Sequence, residues 1–273
     1  MGKYIIKRIL LLIPTLLVVT VVTFALMRLM PGSAVDLILN KYQAMGFTVD
    51  RQDVIVQLGM DKPAVQQYFI WLGDLLRGDM GDSLFQNQSV ASLIAEKLPI
   101  TLELALFTMI IINVISIPAG VITAARQDSI GDYVIRVISI ILMAMPLFWI
   151  GTLVLIYPAK WWGYAPTITY VSIFKSFAEN MKMFLVPSIL GALAQVGMQM
   201  RMVRTSVLDV MRQDYVRTAW SKGITEHDVL YGHALRNSLI PVITIIGGSV
   251  AGLVGGSVIL ENLFNIPGLG SCM

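Results

Sequence analysis

The residues able to do chemistry concentrate in one polar stretch. It runs Asp214-Tyr-Val-Arg-Thr-Ala-Trp-Ser-Lys-Gly223, then Ile224-Thr-Glu-His-Asp228, then His233-Ala-Leu-Arg-Asn-Ser-Leu-Ile-Pro241. It lies as a basic island between two apolar runs, and its chemistry is that of docking. A chain otherwise soluble in hydrocarbon needs a reason to keep such an island outside the membrane, and the binding of another protein supplies one. The plainer reading is a loop that anchors two spans by its positive charge. No catalytic residue is assigned. His227 and His233 are six apart, which places them on different faces of a helix, so no metal site is expected. Cys272 is the single cysteine and has no partner for a disulfide. Asp79 and Asp82 lack the ligand spacing and closing Glu of a calcium loop and read as a solvated turn. No Walker A pattern is present, and no cofactor is expected.

Local signals order the island as two short helices joined at a glycine. Asp214 is positioned to cap a helix beginning at Tyr215. That helix presents Arg217 and Lys222, with the small Ala219 between them. Gly223 can adopt the left-handed conformation that ends a helix. Thr225 then fits an N-cap, with Asp228 three residues on, and Ile224 and Val229 fit a hydrophobic staple. The second helix is expected to run to about Asn237, with Pro241 entering the first turns of a span.

The elements that carry this island are membrane helices. Hydrophobic residues make up 56% of the 273 residues and charged residues 14%, with a mean hydropathy of +0.74. A soluble domain averages about 25% charged. The apolar runs are Ile9 to Met30, Ile100 to Ala125, Val134 to Tyr157, Phe184 to Met200 and Leu239 to Leu260. A span takes about 20 residues, so five transmembrane helices are expected, Phe184–Met200 being the shortest. The first run is too long for a signal-peptide core and no small-x-small site follows it, so it reads as a retained helix.

Basic residues set the orientation. Lys3, Lys7 and Arg8, then Arg126 and Arg136, then Arg201, Arg204, Arg212, Arg217, Lys222 and Arg236 share one side of a five-span chain, which is therefore expected to be cytoplasmic. This basic bias is a topology signal. A nucleic-acid-binding surface would need a folded polar domain, and none is present. The expected organisation is an N-terminal transmembrane helix over residues 1–30, an extracytoplasmic segment over 31–99, and a core over 100–273 with its cytoplasmic loop at 201–238. Within the extracytoplasmic segment, Val54 to Gly59 and Ala64 to Leu76 read as short amphipathic helices.

Uncharged polar groups inside the spans are Asn113, Gln195 and Gln199. They either bond between helices or line a water-filled route. Gly248, Gly252 and Gly256 form overlapping GxxxG pairs whose first reading is close helix packing.

The island motif resembles the EAA loop of bacterial ABC importer permeases, in the spacing of the dipeptide/oligopeptide/nickel family. Ala219 and Gly223 match its small Ala and its Gly, while Thr218 stands where the name-giving pattern has Ala. Lys7-Arg8 with Met27-Arg-Leu-Met-Pro-Gly32, Gly78-Asp-Met-Gly-Asp-Ser83, Leu98-Pro-Ile-Thr-Leu-Glu-Leu104 and Asn265-Ile-Pro-Gly-Leu-Gly270 are similar to further family motifs, covering nearly the whole chain. Ser33 departs from the family's usual Asp. Family members continue beyond the position of Met273 into a sixth helix, which this sequence is expected to lack. Its tail from Glu261 would then lie outside the cytoplasm.

The resemblance implies an all-α polytopic helix bundle of the type I importer class in the bacterial inner membrane. It implies a second homologous permease subunit, two ATP-binding cassette ATPase subunits and an extracytoplasmic solute-binding protein as partners, with ATP hydrolysed on the separate subunits. Tyr215, Arg217, Thr218, Ala219, Ser221, Lys222 and Gly223 would form the ATPase-coupling helix. The cargo would be peptides, nickel or metal chelates. Two other classes stay open: a secondary carrier or channel subunit, and a non-transporting assembly subunit. The lack of ionisable groups deep in the spans disfavours the carrier.

Overall fold

The computed structural model describes residues 2–29, 34–44, 49–57, 59–83, 86, 88–163 and 165–272. Within these residues the chain is helical, and the one β feature is an isolated bridge between Asp82 and Ser89. Met30-Pro31-Gly32 and Ser33 lie outside the described residues. The chain forms two compact units, Met1–Leu93 and Ile94–Met273.

The first unit is built on α1 (Gly2–Leu29), an apolar helix whose side chains stay largely exposed. In lipid a helix satisfies its own backbone, so such a surface is stable there. The helices α2 (Ala34–Ala44) and α3 (Arg51–Gln57) are tied by an Arg51–Asp36 ion pair of 2.7 Å. The sequence gives no cue for α2. Pro63 precedes α4 (Ala64–Leu76), whose bounds are those expected. This helix packs on the last third of α1. The hydroxyls of Thr20 and Tyr68 are 3.0 Å apart, Arg28 donates to Gln67 at 2.7 Å, and Phe24 meets the Tyr68 ring edge-on. The Asp79–Asp82 segment is a turn: Asp79 accepts from the Gly81 amide at 2.9 Å.

The second unit is a helix bundle whose core lies in three layers. Its helices are α5 (Val90–Ala125, beginning in the first unit), α6 (Ile130–Ala144), α7 (Leu147–Trp162), α8 (Phe177–Met211) and α11 (Leu235–Phe264). At the island pole, Val121, Val203, Val207, Leu230 and Val242 pack together. Ala105, Ile112, Ala192, Val196 and Leu253 form the middle layer. Ile100, Leu104, Phe184, Leu260 and Phe264 form the far pole.

Two spans differ from expectation. Phe184–Met200, the shortest by hydropathy, is the centre of a 35-residue helix. At 1.5 Å per residue that helix is roughly 50 Å long and outreaches the hydrocarbon. The expected single span Val134–Tyr157 is two helices, α6 and α7, bent by 93°. The break falls at Met145-Pro146, where proline excludes its predecessor from the helical region, and Met145 takes ψ 126°. The pair nonetheless runs from pole to pole along α8. Asp132 meets Arg204, Ser139 meets Met200, and Val154 and Leu155 reach the far-pole layer. Among the described residues, four helices are long and apolar enough to cross a membrane, or five when the broken pair is counted as one span. Close approach holds α6 to α8: a Cβ on Gly197 would lie 2.9 Å from the Ser139 carbonyl oxygen.

Candidate functional site

The island folds into a short helix held on the base of the bundle. The helix α9 covers Asp214–Ser221 and is flanked by Gln213. Asp214 therefore lies in the first turn and is not the cap expected of it. There it complements the helix dipole and stands 3.7 Å from Arg217. Thr218 and Ser221 turn their hydroxyls back onto the Asp214 and Arg217 carbonyls. The helix ends as expected. Gly223 has φ +80°, its amide donates to the Trp220 carbonyl at 2.9 Å, and the Ile224 amide donates to the Ala219 carbonyl at 3.4 Å. This pair of bonds is the Schellman closure, which satisfies two orphan carbonyls.

Beyond Gly223, Thr225 accepts from the Asp228 amide at 3.2 Å, as an N-cap should, and its own hydroxyl donates to the Asp228 carboxylate at 2.8 Å. Only half of the capping box forms, because the Asp228 side chain is taken by the hydroxyl. The Thr225 hydroxyl, and then His227, hold the Asp228 carboxyl below the usual range. The expected second helix does not end near Asn237. Its short start, α10 (Glu226–Asp228), passes through a π-helical turn, Val229–Ala234, straight into α11. The His233 side chain lies outside the described residues.

The two faces of α9 have different environments. Val216 and Ala219 are buried against Val229, with Val210, Met211 and Ile224 packed around them. The staple residues Ile224 and Val229 thus share one cluster. Ala219, expected at an outer contact, faces inward and lets α9 lie close to the π turn. Tyr215 and Trp220 are 43% and 42% exposed, large rings for an aqueous surface. Arg217, Thr218, Ser221 and Lys222 are exposed beside them. Asn237 donates to the Tyr215 hydroxyl at 2.8 Å, fixing that ring.

The polar span residues separate. Gln199 donates to the Asn113 side chain at 2.8 Å, and Asn113 donates to the Met109 carbonyl, so this pair clasps α5 to α8. Gln195 instead lines a cavity of about 140 Å³ between α5, α8 and α11. Among the described residues, a Cβ added at Gly248, Gly252 or Gly256 would meet no atom within 4 Å.

Sequence reading missed three buried polar centres near the poles. Asp132 is fully buried and receives a two-pronged contact from Arg204, at 2.9 and 3.2 Å, with Arg136 at 3.1 Å. Glu261 is fully buried and accepts from Thr101, Ser257 and the Gly270 amide, folding the Asn265–Gly270 turn against α5. Glu103 accepts from Tyr170 and Asn180. Arg136 and Ser257 lie one helical turn from their carboxylates, but Arg204, Thr101, Tyr170 and Asn180 lie far off in sequence, where neither hydropathy nor spacing registers them.

Among known proteins, residues 116–273 match the family described as binding-protein-dependent transport system inner membrane component, and residues 1–105 match its N-terminal family. A Brucella suis permease protein, named for a peptide transport system, is 39% identical over 270 residues. The oligopeptide transport system permease protein AppB of Bacillus subtilis is 38% identical over 273 residues, and the dipeptide transport system permease protein DppB of Lactococcus lactis 34%. Each alignment covers 99% of this chain and 85% of the relative. With both its halves matched, the chain belongs to the family of binding-protein-dependent transport system inner membrane components, the permeases of ABC importers.

Proposed function

We propose that this chain forms half of the translocation path of an ATP-driven peptide importer and that α9 is its coupling helix. The observation that carries this reading is α9 itself. It is anchored on one face by Val216 and Ala219 and offers Tyr215, Arg217, Thr218, Trp220, Ser221 and Lys222 on the other. A helix fixed so firmly, with aromatic rings left outward, suits a groove on a partner ATPase, since aromatic anchors dominate interface energetics. Two ATPase subunits, a second homologous permease and an extracytoplasmic solute-binding protein complete the machine. The relatives' names favour peptides over nickel or metal chelates as cargo. Of the three span amides Gln195 borders the path, the Asn113–Gln199 clasp bracing α5 to α8 beside it, and the open glycine face of α11 at Gly248, Gly252 and Gly256 is free to meet the second permease. Co-expressed with these partners and reconstituted in liposomes, the chain is expected to support peptide uptake that requires ATP and the binding protein. Uptake driven by a proton gradient without ATPases would instead establish a carrier. Loss of no flux on deleting this chain would leave it an assembly subunit.

The island is assigned to the cytoplasm by its basic residues and their short-loop context. A reporter inserted after Met60 should be active outside the cytoplasm and one after Lys222 inside it. The reverse pattern would overturn the assignment.

A further inference from the structure

The three amides that sequence groups together have different environments. Gln199 donates to Asn113, which donates in turn to the Met109 carbonyl. Gln195, one helical turn from Gln199 on α8, makes no hydrogen bond among the described residues. It lies halfway between the poles, beside the middle core layer, in the wall of the cavity. Gln195 is half-buried and its amide opens onto the cavity, so it is available to pair with what enters there.

The rest of the wall narrows what that is. Leu104, Leu147, Leu253 and Leu260 make most of it apolar. Thr108 already donates to the Leu104 carbonyl, and Ser257 to the Val254 carbonyl and Glu261. Their hydroxyl protons are committed. On α11, Gly252 and Gly256 line the cavity, and a Cβ at either would meet nothing within 4 Å. The wall is therefore open on that side. At about 140 Å³ the space admits several waters or a short run of extended main chain, and not a whole oligopeptide.

We infer that Gln195 is a main-chain-reading residue of the translocation route: its amide carbonyl and NH2 pair with one peptide group of the passing cargo, beside the glycine face of α11. A glutamine amide offers one acceptor and two donors, and a peptide group offers one donor and one acceptor. The match is independent of cargo side chains. It gives polar main chain a partner midway across an otherwise apolar passage while leaving sequence selection to another component. The inference rests on the peptide-importer reading and adds the contact that reading lacks.

The test uses the complete importer in liposomes. Gln195→Met keeps length and volume and removes the amide. It is expected to lower peptide delivered per ATP hydrolysed about tenfold, while ATPase stimulation by the loaded binding protein stays within twofold. Delivery within twofold of the parent would overturn the inference. A second arm does not depend on that variant's folding. In a Cys272→Ser background, Gln195→Cys should form a mixed disulfide with a peptide carrying a methanethiosulfonate group during ATP turnover. Gln199→Cys, committed to the clasp with Asn113, should react at least tenfold less. Equal labelling, or none at position 195 during active transport, sinks the inference. Absence of ATP-driven uptake in the parent importer would instead defeat the importer reading itself.

Discussion

Asp132→Ala is expected to lower the thermal unfolding midpoint of the purified protein by roughly 6–12 °C, taking about 3 kcal/mol for an orphaned buried pair and 2–4 °C per kcal/mol. The Asp132 side chain has no exposed surface, while those of Arg204 and Arg136 are 16% and 32% exposed. Asp132 also accepts from the Asp128 amide at 3.1 Å, and its own amide donates to the capping Ser129 hydroxyl. Three donors, two from Arg204 and one from the Asp128 amide, thus converge on one carboxylate, with the Arg136 guanidinium as a second counter-charge at 3.1 Å. Removing it leaves two guanidiniums facing each other with no counter-charge, which costs more than the pair gained. The same logic predicts a partial rescue. Asp132→Ala combined with Arg204→Met should recover about half the lost stability, because the deeper unpaired charge is gone. Arg136 stacks on Tyr133, its guanidinium 4.5 Å from the ring centre, and can remain charged there. A midpoint within 2 °C of the parent for Asp132→Ala would show that the cluster is not structural.

The placement of this cluster matters for coupling. It ties the start of α6 to α8 about two turns before α8 ends. In the proposed coupling, a push on α9 would reach both α8 and the first limb of the broken span together. The clasp of Gln199 and Asn113 extends the same unit to α5.

What the sequence made legible follows from how local the cause is. The bounds of α4 were readable because Pro63 fixes its start within one residue. The end of α9 was readable because only glycine takes φ +80° without strain. The bend at Met145-Pro146 was not. Pro14, Pro99, Pro118, Pro158, Pro187 and Pro241 all lie inside unbroken helices, so one more proline in an apolar run carries no distinguishing mark. The extent of α8 was hidden for another reason. Hydropathy reports the part that meets hydrocarbon, and α8 continues through Arg201 and Arg204 into the polar region. The buried centres depend on pairings at long range: Arg204 stands 72 residues from Asp132, and Gln199 stands 86 from Asn113. No period or motif marks those. The inward turn of Ala219 needed the position of Val229, which the π turn sets.

That inward turn changes what substitutions in α9 should do. Ala219→Glu puts a carboxylate between Val216 and Val229, where burial without a partner costs several kcal/mol. The helix is expected to lift from its seat while the spans stay inserted. Gly223→Pro acts on the other end. It excludes φ +80° and deletes the amide that closes the helix on the Trp220 carbonyl. Both variants should reduce ATP-driven uptake by the complete importer at least tenfold while expression in the membrane persists. Tyr215→Ala and Trp220→Ala probe the opposite face. They should leave the thermal midpoint within about 2 °C of the parent, as exposed substitutions usually do, yet weaken retention of the ATPase subunits during purification. The two classes separate seating from contact. If Ala219→Glu or Gly223→Pro retains full uptake, α9 does not transmit the stroke. If Trp220→Ala and Tyr215→Ala both hold the ATPases as firmly as the parent, the exposed rings are not the docking face, because aromatic anchors are the groups whose truncation an interface tolerates least.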